Sequence, residues 1–206
     1  MFKRITSRLF QRSKPVEIGQ SRPNDEQPRV ASDYPIDGLV PIILPPELLT
    51  MEWPGPMISL GDLPFSLAWA VVVKPNQFLY VNQEAQGYWE ASGVDWRMCA
   101  MQNLRRIARH FPFFEKCDEH GRPFVQALIT DDAIGPSRLL IPNLFEEQFG
   151  DGYMVAIPEQ TCAIIYRTNL TGEQRVAVDE WIDGCHKVGK EPMSSERFRP
   201  DRFWVL

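Results

Sequence analysis

Apolar positions along the chain alternate between β-rich runs and helical stripes. SLAWAVVV at 66–73 and QFLYV at 77–81 are rich in β-branched and aromatic residues and flank Lys74-Pro75-Asn76, which predicts an antiparallel hairpin. Ser92-Gly93-Val94-Asp95 has capping-box spacing, and Trp96, Ala100, Leu104, Ile107, Ala108 and Phe111 then recur at helical intervals up to Pro112, predicting a long helix. FVQALIT at 124–130 predicts a strand that ends at Asp131-Asp132. Beyond the Gly135-Pro136 turn, Ser137 is placed to cap a helix carrying Leu139, Leu140, Leu144, Phe145 and Phe149, with Pro142 inside it or restarting it. YMVAI at 153–157 and TCAIIY at 161–166 flank Pro158-Glu159-Gln160 as a second hairpin. Thr171-Gly172-Glu173-Gln174 opens a last helix with Val178, Trp181, Ile182 and Cys185 as its stripe, and the terminal RFWVL reads as a final strand. The resulting order β-β-α-β-α-β-β-α-β predicts an α+β domain: a largely antiparallel sheet built from two hairpins, three packed helices and an N-terminal arm.

The N-terminal third behaves differently. Residues 1–12 form a basic segment in which Phe2, Ile5, Leu9 and Phe10 gather opposite Lys3, Arg4 and Arg8, consistent with a short amphipathic helix. Residues 13–36 mix four prolines with polar residues and read as a linker or arm, because so little apolar surface cannot offset the entropy of ordering it. A single domain is expected over 37–206, in which LVPIILPPELL and MEWPGPMISLGDLP read as extended or irregular structure.

Charge sharpens this division. Residues 1–14 hold Lys3, Arg4, Arg8, Arg12 and Lys14 and no acid, which leaves 17 of the 22 basic residues against all 27 acids in the remaining chain, a balance of −10. Such a body repels nucleic acid as a whole. Arg97, Arg105, Arg106 and Arg109 line one side of the long predicted helix, where a solvated face explains them better than a polyanion site. The basic N-terminus is compatible with weak peripheral contact with anionic lipid, with a transit peptide, or with a terminal helix folded onto the acidic body. No apolar run approaches the roughly 18 residues of a membrane-spanning helix, and no apolar core of a secretory signal follows the basic start. Four cysteines do not make a disulfide framework in a chain of this size, so the expected location is the cytoplasm.

Candidate chemistry is sparse. Asp131, Asp132 and Ser137, with a histidine drawn from His110, His120 and His186, are the residues from which a small hydrolase site would be assembled. Against this, Ser137 lies in GPSRL without the second glycine of a nucleophile elbow, and the two aspartates lack a phosphate loop or a spaced third ligand. The reading as strand end, turn and helix cap is the better one. Cys117, His120, Cys185 and His186 contain the ligand types of a tetrahedral zinc site, yet adjacent helical residues such as Cys185 and His186 point about 100° apart. Cys185, Cys99 and Cys162 all fit apolar positions, and no Cys-x-x-Cys pair exists. No catalytic, cofactor or metal site is therefore expected.

QFLYVNQEAQGYW, AMQNLRRIA, SRLLIPNLFEEQFG, MVAIPEQTCAII and a C-terminal helix before PMSSERF together resemble the YtpQ-like bacterial proteins of unknown function. The matching positions are Tyr80, Val81 and Trp89; Asn103, Leu104 and Arg105; Ser137, Leu139 and Leu140; and Val155, Ala156 and Pro158. The resemblance covers roughly residues 60–200. After the proline, Glu159-Gln160-Thr161 replaces the family's Ser-Arg-Asp run, so no role of that turn carries over. The resemblance implies a bacterial cytoplasmic protein and no particular reaction. The expectation that follows is a non-enzymatic protein-binding or adaptor domain, holding a protein partner on a sheet face or on its acidic surface, with the basic N-terminus as a tether.

Overall fold

In the computed structural model, the described residues are 34–45, 47–48, 51–74, 77–108, 113–129, 134–150 and 152–204. The expected basic segment, nearly all of the linker, the Pro75-Asn76 turn, Arg109, His110, Asp131 and Asp132 lie outside them. The protein is α+β, and its described residues form two four-stranded antiparallel sheets.

In the first sheet the central strand β3 (Ser66–Lys74) pairs along one edge with β1 (Leu39–Leu44), and its other edge is shared by β2 (Met57–Ser59) and β4 (Gln77–Tyr80). β1 is LVPIIL, buried at every position, so it shows none of the apolar-polar alternation of a half-exposed strand. Pro41 is tolerated because β1 is an edge strand. The Ile43 amide points away from β3, and Pro41, two residues earlier, has its missing N–H on that same outer side.

The second sheet has the order β5 (Phe114–Cys117), β6 (Pro123–Ile129), β8 (Cys162–Arg167), β7 (Tyr153–Glu159). Both expected hairpins are present as β3–β4 and β7–β8. A third, β5–β6, turns at Asp118–Arg122, where Gly121 supplies the left-handed φ of 72°.

Helix α1 (Gln83–Ala91), which the apolar pattern leaves unassigned, precedes α2 (Trp96–Ile107), the long helix that the sequence predicts. Ser92 closes α1 rather than opening α2, Gly93 takes a φ of 70°, and the side chain that caps α2 is Asp95, which accepts from the Met98 amide. The predicted helix over 139–149 is broken. A 3-10 turn at Pro136–Leu140 is followed by irregular chain and a single turn, α3 (Glu146–Phe149), because Pro142 removes an amide and Asn143 sits at φ 63°. Helix α4 (Gly172–Val188) carries the predicted capping box in full. Of the expected final strand, Arg202 and Phe203 belong instead to a 3-10 turn at Pro200–Phe203, and Val205 and Leu206 lie outside the described residues.

Alternation in the second sheet assigns its two faces. Leu128, Val155, Ile157, Ala163 and Ile165 join an apolar core that also holds β1, β3, α1 and α2. Phe124, Val125, Ala127, Ala156, Cys162, Ile164 and Tyr166 face α4 in a second cluster with Val178 and Ile182. An indole cluster pins the two N-terminal helices to β3, with Trp69 edge-on to Trp96 at 5.0 Å and Trp96 beside Trp89 at 6.2 Å. Tyr34, inside the segment read as a linker, is already buried and packs edge-on against Trp89.

Candidate functional site

Ser137 is fully buried, and its Oγ accepts the backbone N–H of Ile43 at 3.2 Å. It caps no helix, since the 3-10 turn has no side-chain cap. Its hydroxyl instead satisfies an outward amide of β1, so the 135–140 segment closes the outer side of that strand. Of its proposed companions, Asp131, Asp132 and His110 lie outside the described residues. His120 sits at the β5–β6 turn and His186 near the end of α4. A hydroxyl with no exposed surface and an oxygen already accepting a backbone amide is poorly placed to attack a substrate.

The zinc set is not brought together, which corrects that alternative. Cys117 and His120 share a cleft with Thr171 and Gln174, the first turn of α4. Cys185 and His186 lie about 14 residues further along the helix, or about 21 Å at 1.5 Å per residue. Among the described residues no group of three His, Cys, Asp or Glu side chains could hold a metal ion.

The cleft has a volume of about 600 Å³ and lies where the β5–β6 turn faces the connection from β8 to α4, with Arg122, Arg167, Asn169 and Glu173 also on its wall. Its central carboxylate is committed to its own turn. Asp118 Oδ1 accepts the backbone amides of His120 and Arg122 at 2.9 Å each, Oδ2 accepts from Arg122 Nε at 3.0 Å, and Arg167 Nη1 stands 3.7 Å away. The bond from the Arg122 amide is the main cause that holds the Asp118 carboxyl below the usual carboxylate range. Lost hydration, then the Glu115 and Asp118 carboxylates, push the Cys117 thiol up. A thiol kept protonated is a weak nucleophile and a weak metal ligand.

The strand that leads to the cleft is the more informative feature, and sequence reasoning did not find it. In the second sheet the far side of β7 is occupied by the C-terminal segment: Val155 and Phe198 exchange backbone hydrogen bonds at 2.9 and 2.8 Å, and Ser194 N–H donates to Ile157 O at 3.0 Å. At the opposite edge, among the described residues, β5 pairs within the sheet only with β6. Phe113 and Phe114 at its start are 45% and 47% exposed, an unusual place for two adjacent phenylalanines. Phe114 and Lys116 project on the α4 side, where the Lys116 ammonium lies 4.9 Å from the Trp181 ring and burial lowers its pKa. Glu115 projects to the other side and accepts from Gln148 Nε2 at 3.4 Å. The FPFF run at 111–114 was the available signal, but reading Phe111 as the end of a helical stripe obscured it.

Two of the arginines on the exposed side of α2 are engaged. Arg97 lies over the Trp96 ring at 4.6 Å, and Arg106 Nη2 donates to Asp37 O at 2.9 Å. Among the described residues no helix is long and apolar enough to cross a membrane. Comparison with protein-family models, with curated proteins and with solved structures gave no match.

Proposed function

We propose that the chain is a non-catalytic protein-binding domain that takes up an extended segment of a partner along the outer edge of β5. The observation that carries this reading is the exposed Phe113-Phe114 pair on an edge strand. A strand added along β5 gains main-chain hydrogen bonds while its alternate side chains supply specificity. The four residues of β5 match about 13 Å of extended partner. Alternation puts an apolar partner residue beside Phe114 and a basic one beside Glu115, and the −10 balance of residues 15–206 favours a basic segment overall. The resemblance to the YtpQ-like proteins is compatible with this reading, since it implies a bacterial cytoplasmic protein and no reaction.

A photo-crosslinking side chain in place of Glu115, in the full chain expressed in its native cells, tests the proposal. It predicts a discrete adduct with a second protein, mapped to an extended basic segment, that is lost when Phe114→Ser is introduced. Adducts that persist with Phe114→Ser, or that join two copies of this chain through β5, would overturn it.

A further inference from the structure

We infer that Cys162 and Cys185 form a peroxide-sensitive thiol pair that closes into a disulfide joining β8 to α4. The backbone brings the two together from opposite sides of one apolar cluster. Cys162 lies on the same face of β8 as Ile164 and Tyr166, the face that α4 covers, and Cys185 continues the helical stripe of Val178 and Ile182 that packs on it. Helix α4 starts near the end of β8 and runs back along it. Thirteen residues of helix from Gly172 to Cys185 span about 20 Å, and five residues of strand from Arg167 back to Cys162 span about 17 Å, so the two cysteines reach the same level.

A second contact fixes the same level. Glu159 is the register partner of Cys162 across the β7–β8 turn. Its side chain packs so closely on Gly189 that a Cβ there would come within 2.4 Å of Glu159 Cγ, and Gly189 N–H bonds to the Cys185 carbonyl at 2.9 Å. The turn that holds Cys162 is thus seated on the last turn of α4. Cys162 is buried, and Cys185 is half-buried and so within reach of a small oxidant. Cys185 is the more accessible of the two and so the sulfur that reacts first, and its hydrogen bond with Cys162 acts in the same direction by lowering the Cys185 thiol pKa.

The chemistry balances with a peroxide as oxidant. The Cys185 thiolate attacks one peroxide oxygen; the S–O bond forms, the O–O bond breaks, and the other oxygen leaves as water or an alcohol after protonation. Cys162 sulfur then attacks the sulfenic sulfur of Cys185; the S–S bond forms, the S–O bond breaks, and water leaves with the Cys162 proton. Two thiols lose two electrons in all, and one peroxide is reduced.

The test is peroxide treatment of the full chain, with peptide mass analysis under non-reducing conditions and thermal melting. The expected result is a loss of 2 Da assigned to a Cys162–Cys185 peptide, retained in a Cys99→Ser/Cys117→Ser double variant and absent in Cys185→Ser. Closing this loop is expected to raise the melting temperature by roughly 6–12 °C, reversed by a dithiol. Stable sulfenic or sulfinic acid at Cys185 without the link, or oxidation at Cys117 alone, would overturn the inference. Because the double variant keeps both thiols of the pair, its failure to link on a folded chain counts against the pair itself.

Discussion

Replacing Ser137 by alanine separates two accounts of the same residue. As a helix cap, Ser137 would contribute about 1 kcal/mol at an exposed position, and Asp or Asn would replace it well. In the structure the side chain is wholly buried and its oxygen is the acceptor for the Ile43 amide. Ser137→Ala leaves that N–H without this acceptor inside the core, a loss of about 1–3 kcal/mol, to which the small void adds little. Ser137→Asp forces a carboxylate into the same space and is expected to cost more than alanine, the reverse of the order for a cap. Urea unfolding followed by tryptophan fluorescence measures both, with Ser59→Ala as control, since that exposed hydroxyl donates to the nearby Gly61 carbonyl and its loss should stay within about 0.5 kcal/mol of wild type. In a chain of this size a loss of 1–3 kcal/mol also lowers the melting temperature by roughly 2–12 °C. A Ser137→Ala variant as stable as the parent, or a Ser137→Asp variant as stable as Ser137→Ala, would refute the buried-acceptor account.

Three further outcomes are expected. Gly55→Ala places a Cβ 1.6 Å from the Val81 carbonyl oxygen, so the loop must lift off the end of β4, and thermal melting should show a loss of at least about 2 kcal/mol. Asn103→Ala removes the amide that donates to the Ile36 and Leu39 carbonyls at 2.8 and 3.0 Å, and a loss of about 1–2 kcal/mol in urea would confirm that this residue of the family-like motif ties α2 to the start of β1. Burial, with Glu191 and Glu146 respectively as the lesser causes, pushes the phenols of Tyr80 and Tyr153 up to about 12. Their folded-state values lie above the unfolded value of about 10, so the stability they contribute is fully present below pH 10 and is lost as pH rises towards 12. Burial pushes the Tyr166 phenol up as well, so titration at 295 nm should show three late-ionising tyrosines, and Tyr153→Phe should flatten the alkaline loss of stability; ionisation of all five tyrosines near pH 10 would contradict this.

The elements legible in the sequence are those whose signals are local. The β3–β4 and β7–β8 hairpins are dense in β-branched residues, and α4 announces itself through Thr171 and Gln174, whose reciprocal bonds form within one turn. β1 was obscured because it is buried at every position and contains Pro41, acceptable only on an edge that sequence cannot identify. The helix expected over 139–149 failed where Pro142 outweighed an apolar stripe whose members, Leu139, Leu140, Phe145 and Phe149, are buried as predicted but in turns. The role of Ser137 depends on a partner 94 residues away in sequence, which no spacing rule reaches. The edge of β5 was illegible for a similar reason: four residues with no clear alternation reveal an edge only once the sheet order is known.

The measurement that bears most directly on the binding account is amide hydrogen exchange of residues 114–117 in the full chain, alone and with the protein recovered by crosslinking from position 115. The account predicts that amides on the outer side of β5 exchange at least tenfold more slowly in the complex, while those of β7 keep their rates. Unchanged exchange along β5, with protection confined to another surface, would contradict it.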